Sequence, residues 1–173
     1  GYEVLDGITL LKSSEVDILE DGTLDLPDDI LRRLDLTVCS IHSRMSLSSE
    51  KQTTRVLKAM DHPAFTILGH PTGRLIGERQ GYAIDLERVI DQARQGGCIL
   101  EINAQPARLD LDDTHAKMAR DAGVKLSIAT DAHAPAHLDL MRFGVEQARR
   151  GWLTAEDVVN ARALDDLRAL IAR

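Results

Sequence analysis

The chain has 173 residues, 43% of them hydrophobic and 28% charged, and a net charge of −7. That is enough length for one domain with a real core. The negative balance argues against a large nucleic-acid surface of the chain's own, and two Phe, two Tyr and one Trp are too few for a base-stacking platform. No apolar run approaches the roughly 20 residues that span a bilayer and no signal-peptide pattern opens the chain, so the expected setting is cytoplasmic, with no membrane partner. Cys39 and Cys98 are far apart, neither beside another cysteine, which excludes a zinc ribbon and favours reduced, buried thiols.

In chain order, Ile8–Leu19 reads as a strand and Glu20-Asp21-Gly22-Thr23 as a tight turn. Pro27-Asp28-Asp29 opens a short helix through Leu34, with proline and acids in its first turn. Leu36–His42 is predicted as a strand. A helix opens at Ser46–Ser49 and runs to Met60, with Val56, Leu57 and Met60 on its apolar face. Ala64–Leu68 is a strand, and Pro71–Tyr82 a long glycine-containing loop. Asp85 is the predicted N-cap of a helix over Leu86–Gln95, closed by Gly96-Gly97. Cys98–Asn103 is a strand, Ala104–Asp113 a polar loop, Thr114–Ala122 a helix and Val124–Thr130 a strand. His137–Arg150 fits a helix, Thr154 and Asp157 a capping box leading into Val158–Asn160, and Asp165–Ala172 a last amphipathic helix.

The alternation indicates parallel βα units, about five of them, with no linker that divides the chain. Five units do not close a barrel of seven or eight strands. Either the sheet is open or the chain starts inside a domain; Gly1–Leu5 reads like the tail of a preceding helix, which favours a fragment truncated at its N-terminal side.

Metal-type residues gather near the predicted C-terminal strand ends, where α/β proteins place their sites. Asp131 and His133 are two apart, so a strand carried through them would project both to one side. A hard oxygen beside an imidazole nitrogen suits zinc, manganese or iron; the bland reading is an Asp turn and a solvated histidine. His42 and His70 each end an apolar run, Glu101 and Asn103 lie two apart in another, and Glu15 and Asp17 lie in the first. Any one of these alone is a satisfied histidine or a surface acid; their recurrence at strand ends favours metal ligation. Asp17, Glu101 and Asp110 are the candidates to support a ligand histidine from behind. Arg44 and Arg74 follow His42 and His70 in loops on the same predicted face, where a guanidinium suits phosphate or a loop ion pair. His62, His115 and His137 read as structural or exposed, Trp152 as a packing residue, and Asp110–Asp113 as loop and cap chemistry.

Ser14-Glu15-Val16-Asp17-Ile18-Leu19, Cys39-Ser40-Ile41-His42-Ser43-Arg44, Leu68-Gly69-His70-Pro71-Thr72-Gly73-Arg74-Leu75, Leu100-Glu101-Ile102-Asn103-Ala104 and Thr130-Asp131-Ala132-His133 together resemble the polymerase-and-histidinol-phosphatase (PHP) domain. More closely they are similar to the PHP domain at the C-terminus of bacterial family X DNA polymerases; Arg108–Leu111 and Arg149–Leu153 share that likeness. The resemblance implies a distorted seven-stranded βα barrel, of which residues 1–173 would be the C-terminal major part. It implies up to three divalent metals, manganese or zinc, fewer here, held by Glu15, His42, His70, Asp131 and His133, which would act catalytically through them. Arg44 and Arg74 would bind phosphate. The implied activity is metal-dependent 3′–5′ exonuclease hydrolysis of DNA in repair, with DNA brought by an upstream polymerase domain. Two alternatives stand: a small-molecule phosphatase resembling histidinol phosphatase, and a non-catalytic structural or docking remnant. The family's opening His-x-His motif and its Asp-His motif are absent, and Ser13 stands where relatives usually have glycine. Weakened metal binding, little activity of the isolated chain, and self-association through a truncated sheet edge are expected in consequence.

Overall fold

The computed structural model describes residues 7–172. Gly1–Leu5, expected as the tail of a helix, lies outside them. Five parallel strands form one sheet in sequence order: β1 (Ser13–Asp17), β2 (Leu36–Ser40), β3 (Ile67–Leu68), β4 (Ile99–Asn103) and β5 (Leu126–Ala129). Parallel neighbours require crossover connections. The chain has six α-helices among the described residues: α1 (Asp28–Leu31), α2 (Ser49–Met60), α3 (Leu86–Gly96), α4 (Asp113–Asp121), α5 (Met141–Arg150) and α6 (Leu164–Ile171). The α/β reading and the count of five strands therefore hold, and the arrangement is consistent with part of a βα barrel.

Most boundaries follow the predicted chemistry. Asp85 caps α3 by accepting from Arg88 N–H at 3.2 Å, and Gly97 closes it in the left-handed conformation, φ 67°. Leu86, Val89, Ile90 and Ala93 are buried at helical spacing. The differences have physical causes. The first strand is Ser13–Asp17, not Ile8–Leu19; Ile8 and Leu10 are exposed, so no buried face holds that segment in the sheet. The helix from His137 is a 3₁₀ segment, Pro135–Leu140, that continues into α5. Thr154 and Asp157 do bond, Thr154 N–H and Oγ1 donating to Asp157 Oδ2, but they close a turn and only a short 3₁₀ piece follows at Val159–Ala161. That segment lies against β5: Leu126 pairs with Val158, and the Asn160 amide exchanges two hydrogen bonds with the Ile128 backbone, standing in for a further strand.

The two faces of the sheet differ. Val16, Cys39, Leu68, Leu100, Ile102, Leu126 and Ile128 belong to the main core, which α2, α3, α4 and α5, packed in succession, share. The other face is set by register. Glu15, Val38, Ile67 and Ile99 lie level across β1–β4, with Asp17, Ser40 and Glu101 one step of two residues nearer the C-terminal ends. Its lower half is apolar: Ile67, Ile99 and Val159 pack with Leu36 and Val38 under Leu167, Leu170 and Ile171 of α6. Its upper half is polar and open to chemistry.

Arg55 joins the main core to that upper half. It is buried in α2, and its guanidinium donates to the carbonyls of Leu19 at 2.7 Å, Ser43 at 2.9 Å and Ile18. These carbonyls lie just beyond β1 and β2. Replacing Arg55 with Met keeps the packing of the stem but strands three acceptors. Bonds to charged groups contribute about 1.5–3 kcal/mol each and are not additive, so R55M is expected to lose about 3 kcal/mol in urea unfolding. A loss below about 1 kcal/mol would show that water replaces the guanidinium.

Candidate metal centre

Glu15 projects from β1, while His42 and His70 each stand two residues beyond the ends of β2 and β3. One ligand atom from each lies within 4.8 Å of the others. His70 Nε2 is 3.0 Å and His42 Nε2 3.3 Å from the same oxygen, Glu15 Oε1, and the two rings stand edge to face with centroids 5.1 Å apart. His42 Nδ1 meets Asp17 Oδ1 at 2.5 Å. Glu15 and Asp17, two apart on one strand, thus grip the two nitrogens of a single imidazole.

The electrostatics follow from that convergence. Hydrogen bonds from His42 and then His70 hold the Glu15 carboxyl well below the usual carboxylate range, against the opposing effect of burial. The hydrogen bond to Glu15, aided by Asp17, pushes His42 up to about 9 although partial burial pulls the other way. An imidazole facing carboxylates on both sides needs positive charge between the partners, and either a proton or a cation supplies it. One carboxylate oxygen and two imidazole nitrogens aimed at one point, with a second carboxylate behind one ring, is a donor set that fits a divalent transition metal. His70 Nδ1 is buried without a hydrogen-bond partner among the described residues, so Nε2, aimed at Glu15, is the bonded nitrogen of that ring.

Around these three, the structure distributes the other predicted residues. Asp131 stands two residues beyond β5 in a left-handed conformation, φ 49°. Its Oδ2 meets Asn103 Nδ2 at 3.4 Å, and the same amide reaches Glu101 Oε2. Glu101 in turn accepts from His70 N–H at 2.5 Å. Asp131 is therefore tied to His70 through Asn103 and Glu101, but it is not in the three-residue group found among the described residues. His133 is also outside that group; its side chain is 77% exposed and its Nδ1 lies 2.9 Å from the Asp131 carbonyl oxygen. Arg44 pairs with Glu20 at 3.1 Å on the surface. Arg74 donates instead to the carbonyls of Arg108, at 2.7 Å, and Leu109, which gives it a loop-tying role.

Three supporting carboxylates, left unassigned by the sequence, now separate: Asp17 orients the His42 ring, Glu101 the His70 backbone, and Asp110 accepts from the Thr72 and Gly73 N–H groups. Burial raises Glu101 to about 7, opposed by its bond from His70 N–H. Sequence reasoning missed Gln105, whose amide donates to the carbonyls of Thr130 at 2.5 Å and Asp131 at 3.1 Å. No spacing marks a glutamine in a polar loop as an anchor. It also missed why Gly69 precedes His70: a Cβ there would lie 2.4 Å from Ser40 Oγ and 2.7 Å from Val38 Cγ1. Trp152, expected to pack, is 71% exposed.

No family model matches the chain. It is 45% identical over 168 residues to the DNA polymerase/3′-5′ exonuclease PolX of Bacillus subtilis, a match covering 97% of this chain and 30% of that protein. Similarity to a family X polymerase with 3′-5′ exonuclease and to probable phosphatases is consistent with a PHP-like domain. A probable phosphatase of Thermoanaerobacter sp. is 30% identical over 168 residues, covering 91% of this chain and 66% of that protein. A probable phosphatase of Caldanaerobacter subterraneus is 31% identical over 141 residues, covering 76% and 53%. The chain thus spans under a third of the polymerase and about two thirds of the first phosphatase.

In the metal-free protein His42 titrates above its ordinary value of 6.5, so its contribution to stability is full below pH 6.5 and is lost as pH rises through about 9. Glu15→Gln removes the largest cause. Nuclear magnetic resonance titration should then place His42 well below 9, and stability should vary less between pH 6.5 and 9. A His42 titration unchanged by E15Q would refute the pairing.

Proposed function

We propose that this chain is most of a metal-dependent phosphoesterase domain, one part of a distorted seven-stranded PHP barrel, in a bacterial family X DNA polymerase. The proposed reaction is 3′–5′ hydrolysis of DNA phosphodiesters during repair. The observation that carries it is the convergence of Glu15, His42 and His70 at the C-terminal strand ends of a chain 45% identical to a polymerase/3′-5′ exonuclease.

In this reading Glu15, His42 and His70 hold a divalent cation, manganese or zinc, and Asp131 and His133 complete a larger cluster when residues upstream join it. A bound cation supplies polarisation of a phosphoryl oxygen and a lowered pKa for water. The chain's own side chains bind and orient. Asp17 fixes which His42 nitrogen faces the centre. Glu101 and Asn103 hold His70 and Asp131 in one frame. Arg44, whose exposed pairing with Glu20 contributes little, exchanges that carboxylate for a substrate phosphate. The acidic chain leaves DNA capture to an upstream polymerase domain, and β1, at one edge of the sheet among the described residues, is where a second copy would add if upstream strands were missing. No helix among the described residues is long and apolar enough to cross a membrane.

The probable phosphatases support a second reading, a phosphatase acting on small phosphomonoesters. The test is the full-length protein with manganese, assayed on 3′-labelled single-stranded DNA and on a small phosphomonoester. Exonuclease activity that His70→Ala lowers by about 100-fold or more, and that His62→Ala at the opposite end of the strands leaves intact, is the expected result. Phosphomonoester turnover without exonuclease supports the second reading. No hydrolysis of either substrate would leave a non-catalytic role.

A further inference from the structure

We propose that Asp110 is a positioning residue for His70, holding its backbone from behind without touching the metal centre. The inference rests on reading Glu15, His42 and His70 as that centre. His70 has φ 27°, a left-handed conformation that a histidine adopts only where its surroundings impose it. Directly after it the chain turns: Gly73 N–H donates to the His70 carbonyl at 2.9 Å. Within that turn the N–H groups of Thr72, at 3.0 Å, and Gly73, at 2.9 Å, both donate to Asp110 Oδ2. The carboxylate is fully buried, so these bonds are made where water does not compete.

Asp110 is itself anchored to the strand beside the site. Its carbonyl accepts from Asn103 N–H at 2.5 Å, and the next residue, Leu111, donates to the Glu101 carbonyl at 3.1 Å. These two contacts seat residues 110 and 111 along β4. Arg74 binds the carbonyls of Arg108 and Leu109, so the two loops are tied in both directions. Gly73, at φ 63°, lets the turn close under the Tyr82 ring, where a Cβ would stand 2.6 Å from Cε1. His70 is thus held on both sides by buried carboxylates of one strand and its return loop: Glu101 takes its own N–H, and Asp110 takes those two and three residues later. A released turn would let the His70 backbone relax from φ 27° and swing Nε2 away from Glu15.

The variant is Asp110→Asn, which keeps the volume but replaces one acceptor oxygen with a donor that opposes the N–H groups. Val89→Ala, a buried change in α3 away from the turn, serves as the control of general destabilisation. Two readouts are taken: zinc affinity by calorimetry, and the His70 ring resonances of the metal-free protein. D110N is expected to weaken zinc binding about tenfold or more, the scale for lost outer support of a ligand, and to shift the His70 resonances while leaving those of His62. V89A should lower the melting temperature without either effect. Wild-type zinc affinity and unmoved His70 resonances in folded D110N would overturn the proposal. Should D110N not fold, Arg74→Gln loosens the same loop from its more exposed side, and the same two outcomes decide. If the wild type binds no zinc, the metal reading fails, and the metal-free His70 resonances alone decide the role of Asp110.

Discussion

Strands of a parallel sheet all release the chain at the same end, and here their register sets the height at which each release happens. Glu15 on β1 lies level with Val38 on β2, and Val38 with Ile67 on β3. Two residues beyond β2, His42 keeps the face of Val38, whereas His70, two beyond β3, shares the parity of the core residue Leu68 and reaches the same carboxylate where the backbone turns at φ 27°. A slip of one residue between β1 and β2 would send His42 to the opposite face, into the main core. The same register divides the site-bearing face into an apolar lower half under α6 and a polar upper half, so hydrophobic burial and ligand chemistry share one surface without conflict.

Holding the upper half requires satisfied backbone where the strands have ended. The structure meets this with side chains from elsewhere. Arg55 serves the chain leaving β1 and β2, Glu101 and Asp110 the chain leaving β3, and Gln105 the chain leaving β5. Each acts on carbonyls or N–H groups close to a candidate ligand. His70 and Asp131 both sit at positive φ, conformations that cost about 1–3 kcal/mol each and persist where surrounding contacts over-determine them. Strain located at two candidate ligands and nearly surrounded by buried hydrogen bonds is consistent with a site built before its ligand arrives.

This chain is similar to a polymerase/exonuclease on one side and to probable phosphatases on the other, and in the proposed function one metal centre serves both kinds of reaction. A carboxylate and two imidazoles at strand ends recognise no base and no sugar. In the proposed function they would address the phosphate and leave selection between DNA and a small substrate to the loops around them.

Much was legible in the residues. Alternating strand and helix patterns, the Asp85 and Gly97 caps, and histidines at the ends of apolar runs indicated an α/β chain with a site at the C-terminal strand ends, because periodicity and capping are local properties of the sequence. Five motifs in order indicated the family. Tertiary structure decided what depends on distance. It showed residues 8–12 outside the five-stranded sheet and 135–140 as a 3₁₀ turn, since burial and pairing, not propensity, settle short segments. It separated Glu15, His42 and His70, which meet, from His133, which stands exposed. It divided Asp17, Glu101 and Asp110 into three different supports, and it set Arg74 against the carbonyls of a neighbouring loop. Residues up to 55 positions apart meet at Glu15, and spacing along a chain carries no measure of which carbonyl a buried side chain will find.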